Sequence, residues 1–176
     1  MNALDYYNQK ECTSRKDTDS FVRNSHNFIK SILIMRFLGS KKRVLDLGCG
    51  QGGDLSKIKH FSPSLYVGTD VAPNALYAAQ TRSSKIKMNC RCHFLCFDFT
   101  EKEWNMPHTP YDIVNCQFAI HFAFKSKECA MNTIKSISDS LKQGGLLIGT
   151  VPKHKANTYS KVTIKLPDDN RLCEEY

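Results

Sequence analysis

Arg43-Val-Leu-Asp-Leu-Gly-Cys-Gly-Gln-Gly-Gly-Asp-Leu55 is the stretch whose reading decides the fold. It opens as a short apolar strand, Val44 to Leu47, and then breaks into four glycines: Gly48, Gly50, Gly52 and Gly53. Glycine takes positive φ without penalty and leaves no Cβ between the backbone and a ligand. A strand, a glycine turn and a following helix bring backbone N–H groups and a helix N-terminus to one polar ligand. Asp46 lies on the strand just ahead of the turn, so its carboxylate is expected to point at that ligand.

The spacing Gly48-x-Gly50-x-x-Gly53 also fits the dinucleotide fingerprint, a weak signal by itself. A diphosphate has little use for the Asp46 carboxylate. S-adenosylmethionine has no phosphate but carries an ammonium and a sulfonium, which a carboxylate suits. The run Asp-x-Gly-x-Gly-x-Gly from Asp46 resembles the first motif of the Rossmann-like methyltransferases. The competing reading is a structural glycine turn in another α/β protein.

The whole chain sets bounds on what surrounds this turn. Its 176 residues are enough for one domain with a core, and 41% hydrophobic with 24% charged content is ordinary for a globule. No apolar run is long enough for a membrane-spanning helix, and the first ten residues lack the apolar core of a signal peptide. The eight cysteines lie mostly in apolar stretches, as reduced thiols do. Cys90, Cys92 and Cys96 do not have the paired C-x-x-C spacing of a zinc site, so no metal is expected. The net charge of +8 favours an anionic partner such as nucleic acid, or describes a merely basic soluble surface.

Outward from the central stretch, the pattern is βαβαβ(loop)βαβ. Residues 1–18 read as an arm, 19–155 as the ligand-binding domain and 156–176 as a C-terminal segment, an incomplete substrate lobe. A helix is expected from Phe21 to Gly39, packing an apolar face that includes Phe28, Ile29, Ile32 and Met35 on the sheet. Lys30 falls within it, either with its stem covering the core or with its cation aimed at a ligand carboxylate. A helix follows the glycines to about His60. Leu65–Asp70 reads as the second strand, and Asp70 lies 20 residues beyond Gly50 at its end. An acid there meets a ribose diol, or caps the helix that starts at Pro73. His93 to Asp98 reads as the third strand, with Asp98 placed to accept from an adenine amino group and Phe99 beside the ring; an ordinary loop aspartate is the alternative. Tyr111–Gln117 is the fourth strand. Gln117-Phe-Ala-Ile-His-Phe-Ala-Phe124 then leaves the sheet with three aromatics and a histidine, more than packing requires, although Phe124 reads as an anchor for the next helix. That helix is expected from Lys127 to Lys142, stopped by Gly144-Gly145, with a fifth strand from Leu146 and a short edge strand at Val162–Leu166. The fold class is therefore α/β, Rossmann-like, with a mostly parallel sheet and helices on both faces. The suspect residues Gly48, Asp70, Asp98 and Gln117 all fall at strand carboxyl ends.

Four segments carry a closer resemblance: Phe28 to Ile34, Val44 to Leu55, Cys116 to Phe124 and Gly144 to Pro152. In order and spacing they resemble the mRNA cap guanine-N7 methyltransferases, over residues 20–155. The Asn27-Phe-Ile-Lys30 helix and the Gln117-Phe-x-x-His121 exit are the more specific parts. The resemblance implies an enzyme that transfers the methyl of S-adenosylmethionine to guanine N7, leaving S-adenosylhomocysteine. It implies donor contacts from Lys30, Gly48, Asp70, Asp98 and Gln117, which join Asp46, Gly50 and Phe99 from the residue reading. It implies a cap pocket lined by Phe118 and His121, with His26, Asn27 and Phe122 beside them. The partners implied are the capped RNA 5′ end and other capping proteins, with no membrane or DNA, in the nucleus. The family pairs two asparagines where this chain has His26-Asn27, and carries a tyrosine where it has Phe122. It also continues well beyond the fifth strand, so the chain is expected to be a fragment, a variant form, or a reduced form completed by a partner. A methyltransferase of another substrate class and a non-catalytic donor-binding module are the other readings.

Overall fold

The structure is a computed structural model and describes residues 17–152. The expected arm up to residue 16, the edge strand at Val162–Leu166 and the C-terminal segment 156–176 lie outside the described residues. Strand β1 (Arg43–Leu47) is buried from Val44 onward because both its faces are covered. It is the middle of a five-stranded sheet ordered β3-β2-β1-β4-β5. The other strands are β2 (Leu65–Asp70), β3 (Arg91–Cys96), β4 (Tyr111–Gln117) and β5 (Leu141–Thr150). Every pairing is parallel. All carboxyl ends therefore share one edge, and the winding reverses between β1 and β4. Open α/β sheets bind ligands at such a switch point.

Among the described residues four helices complete the layers: α1 (Asp17–Phe37), α2 (Leu55–Lys59), α3 (Pro73–Lys85) and α4 (Lys127–Ser140). On one face Val44, Tyr66, Ile113 and Ile148 pack with Ile34 of α1, with Leu38 just beyond its end, and with Leu55 and Ile58 of α2. On the other, Leu45, Leu47, Val67 and Val114 pack with Trp104 and with Ile137 of α4. The side chains alternate along β1, so Asp46 faces the same side as Val44, toward α1 and α2.

Several boundaries differ from expectation. Helix α1 begins at Asp17, inside the expected arm, and Gly39 (φ +65°) follows its end. Its packed residues are Ile34 and Leu38, whereas Phe28 and Met35 are 66% and 70% exposed. The helix carries more apolar residues than one contact stripe can use. Strand β3 stops at Cys96, two residues before Asp98. Helix α4 ends at Ser140, because Leu141 has extended backbone (φ −84°, ψ 146°) and already pairs with Tyr111. Leu146 pairs with Ile113, so Lys142 to Gly145 bulge opposite Asp112. The two glycines shape a bulge inside β5 and do not stop a helix. Residues Ile120–Lys125 form a 3-10 turn, which carries the β4 exit into α4.

Candidate active site

The four glycines divide into two kinds. A Cβ on Gly48 (φ +70°) would lie 2.5 Å from the Ala119 Cβ, and one on Gly52 (φ +71°) would lie 2.5 Å from Leu55 Cδ1. These two close the turn against its own scaffold. Gly50 (φ +52°) and Gly53 have nothing within 4 Å of a Cβ, so they border open space. The corner is tied down by hydrogen bonds. Cys49 N donates to Thr69 O at 2.8 Å, and Gly50 N donates to Asp70 Oδ2 at 2.8 Å. Ala72 N donates to Asp70 Oδ1 at 3.0 Å. Asp70 thus joins the glycine corner to the start of α3, and each carboxylate oxygen keeps a further lone pair for a ligand hydroxyl.

Asp46 does not point into the corner as expected. Its Oδ2 accepts from Tyr66 Oη at 2.7 Å and its Oδ1 accepts from Asn115 Nδ2 at 2.8 Å. The register sets Asp46 opposite Asn115 of β4 and Gly68 of β2. A Cβ on Gly68 would sit 3.1 Å from Tyr66 Oη, so the absence of a side chain there lets the phenol reach forward to Asp46. The group is buried. Desolvation first, and the nearby Asp54 carboxylate second, push its pKa up to about 7, against the hydrogen bonds from Tyr66 and Asn115 and the charge of Lys30. The chain of bonds continues. Gln117 Nε2 donates to Asn115 Oδ1 at 2.8 Å, and Thr150 Oγ1 donates to Gln117 Oε1 at 2.9 Å.

Lys30 takes neither expected arrangement alone. Its Nζ lies 3.0 Å from Asp54 Oδ1, which Lys57 Nζ also reaches at 2.8 Å. Asp54 is the residue that sequence reasoning missed. It reads as a helix start, and its partner is 24 residues away. Asn27 Oδ1 lies 3.5 Å from Lys57 Nζ, so one face of α1 lies over the start of α2. One residue earlier, the His26 ring meets the Phe118 ring with centroids 4.5 Å apart. Phe118 itself has φ +56°, a strained backbone for an aromatic residue, held by its N–H donating to Thr150 O at 2.8 Å. His121 and Phe122 rings lie 4.2 Å apart, and His121 Nδ1 is buried with no partner among the described residues. Burial lowers the His121 pKa, which favours the neutral imidazole.

Asp98 lies in the loop beyond β3, where its Oδ1 accepts from Thr100 N at 2.8 Å and from Thr100 Oγ1 at 2.7 Å. Phe99 offers no open face for an adenine. It is 5% exposed within the core, and its Cε1 lies 3.8 Å from where a Gly48 Cβ would be. It supports the corner from beneath because the Thr100 turn directs it inward. Lys30, Gly48, Gly50, Asp70 and Gln117 gather along the carboxyl edge, with His26, Phe118, His121 and Phe122 next to them. The linking residues Tyr66, Asn115 and Thr150 were also missed. The available signal was a polar residue, Asn115, between the buried apolar Val114 and Cys116 of a strand.

The open space at Gly50 and Gly53 and the acids beside it fit a polar, positively charged cofactor with a sugar. Comparison with known proteins bears on which one. The profile of the mRNA (guanine-N(7))-methyltransferase domain matches residues 2–171. The mRNA cap guanine-N(7) methyltransferase of Eremothecium gossypii is 29% identical, over 89% of this chain and 41% of its own length. The mRNA cap guanine-N(7) methyltransferase 1 of Arabidopsis thaliana is 33% identical, over 74% of this chain and 38% of its own. The chain thus spans less than half the length of these relatives. Among solved structures, the magnesium protoporphyrin IX methyltransferase from Synechocystis PCC 6803 with bound SAM superposes with TM-score 0.58 at 18% identity, covering 78% of this chain and 69% of that one. A putative methyltransferase in complex with the Trm112 activator from Haloferax volcanii gives TM-score 0.59 at 22% identity, over 76% of this chain and 55% of that one. These share the fold.

Proposed function

The chain belongs to the mRNA (guanine-N(7))-methyltransferase domain family, and from that premise we propose that it binds S-adenosylmethionine and directs its methyl group to N7 of the guanine of an mRNA 5′ cap. One observation carries the reading. The glycine corner and the aromatic exit touch, because Gly48 fits against Ala119 with no room for a side chain. A donor seated at Gly50 and Gly53 and a purine seated at Phe118 and His121 would therefore be neighbours.

Bound S-adenosylmethionine supplies an electrophilic methyl on a sulfonium. Guanine N7 has a lone pair and no proton to lose, so the chain needs no general base. Its residues bind and orient. Asp70 accepts from the ribose hydroxyls through its remaining lone pairs. Lys30, paired with Asp54, faces the amino-acid end of the donor, and Asp98 and Gln117 complete the cradle. Phe118 and His26 offer ring faces to the base, and neutral His121, with Asn27 and Phe122 nearby, sets its orientation. Holding two reactants in line supplies on the order of 7–11 kcal/mol of barrier reduction.

The test is transfer of labelled methyl to GpppA- or GpppG-capped RNA, with cap analogues as competitors. Transfer that cap analogues suppress is the expected result, and transfer that they leave untouched points to another substrate class. The second reading is a donor-binding module without transfer, favoured by the contrast between the paired Asp70 at the corner and the unpartnered His121 Nδ1 at the exit among the described residues. Calorimetric binding of S-adenosylhomocysteine without transfer would select it. A thermal-shift response to NAD but not to S-adenosylhomocysteine would overturn both. Location in the nucleus, with other capping proteins, belongs to the same proposal.

A further inference from the structure

The buried bonds behind the corner form one continuous line across four strands: Tyr66 on β2, Asp46 on β1, Asn115 and Gln117 on β4, and Thr150 on β5. Its polarity is fixed by chemistry. An ionised carboxylate only accepts, so Asn115 must present its NH₂ to Asp46 and its carbonyl to Gln117. Gln117 must then present its NH₂ to Asn115 and its carbonyl to Thr150. One N–H and one lone pair of the Gln117 amide remain for the crevice, in a fixed orientation. We infer that Asn115 and Thr150 are positioning residues for the donor, and that Asp46 acts from behind the site by setting which end of the Gln117 amide is held and which is offered. The inference rests on the donor-binding reading above.

A neutral Asp46 carboxyl keeps this order when its proton sits on Oδ2, where the Tyr66 hydroxyl turns to accept it, and reverses both amides when its proton sits on Oδ1 and is donated to Asn115. In the second case the offered donor and offered acceptor at Gln117 exchange places. The groups facing Asp46 are Tyr66 from β2, Lys30 from α1, Asp54 at the start of α2, Cys49 from the turn and Cys116 from β4. With the Asp46 pKa pushed up to about 7 by burial, this exchange falls in an accessible range.

The experiment is calorimetric binding of S-adenosylhomocysteine to the full chain between pH 6 and 9. The wild-type chain is expected to bind more tightly above pH 7 than below it. Thr150→Val keeps the shape but removes the hydroxyl, and is expected to weaken binding about 3- to 10-fold at pH 8, the size of one lost hydrogen bond. Thr150→Ser, which restores the hydroxyl, is expected to recover most of it. Asp46→Asn is expected to flatten the pH dependence. Circular dichroism melts confirm folding, and the isosteric Thr150→Val carries the test if the Asp46 variant does not fold. Wild-type affinity in Thr150→Val, with S-adenosylhomocysteine bound by the parent, would overturn the relay while leaving donor binding intact. A parent chain that binds no S-adenosylhomocysteine at any pH would overturn the functional reading itself.

Discussion

The glycine corner and the β4 exit are adjacent, yet they are built in opposite ways. At the corner the carboxylates are paired: Asp70 accepts from two backbone N–H groups, Asp46 from two side chains, and Asp54 from two lysines, and Thr69 Oγ1 is the buried atom there without a partner among the described residues. At the exit the groups are left unpaired or strained. His121 Nδ1 has no partner among the described residues, Phe118 holds positive φ, and Phe122 and Phe124 are substantially exposed. A buried, unpaired polar atom costs free energy comparable to a lost hydrogen bond. The difference teaches that the fold satisfies the corner's carboxylates within itself, whereas the exit keeps an unpaired ring nitrogen and a strained aromatic, as the proposed base site requires.

The largest expected effect breaks the corner's electrostatics. The ordinary Asp46 value of 3.8 is raised to about 7 in the folded chain, so the folded state holds this proton more tightly than the unfolded state. Its contribution to stability is full below pH 3.8 and is lost as pH rises through about 7. That drift amounts to about 4 kcal/mol at most, at 1.36 kcal/mol per pKa unit. Chemical denaturation from pH 4 to 8 should show it in the parent and a flatter profile in Asp46→Asn. Next comes Gly48→Ala, which combines left-handed backbone with a 2.5 Å clash on Ala119 and should cost about 2–4 kcal/mol. Gly50→Ala, with open space around it, should cost only about 1 kcal/mol in the same denaturation series while weakening donor binding.

The exit responds differently. His121→Ala should raise the KM for capped RNA about tenfold and leave affinity for S-adenosylhomocysteine within about twofold, the scale of one lost hydrogen bond to a base. Equal effects on both would remove the contrast between the two regions. The smallest effect is expected for Phe124→Ala. Its ring is 50% exposed, and surface changes of this kind stay within about 0.5 kcal/mol. A larger loss of stability would make Phe124 a helix anchor.

Local patterning made the fold readable. The strands β2 and β4 fall where the apolar runs predict them, and the central strand does so within one residue, because a strand buried on both faces needs an unbroken apolar run. The same logic failed at β5. Gly144 and Gly145 look like a helix stop, and only pairing with Tyr111 and Ile113 shows that they form a bulge. It failed for α1 as well, since two apolar stripes share one helix and the sheet took Ile34, with Leu38 just past its end.

Sequence by itself settled which residue types stand at the strand ends: the glycine corner, Asp70, and the run from Gln117 to Phe122 all lie on the edge where they were expected. Tertiary structure alone decided what those residues touch. Asp54 lies 24 positions from Lys30 and Asn115 lies 69 from Asp46. Spacing within a helix or strand reports only on near neighbours. Contacts between elements are set by sheet register and helix placement, which bring distant residues into one hydrogen-bonded line.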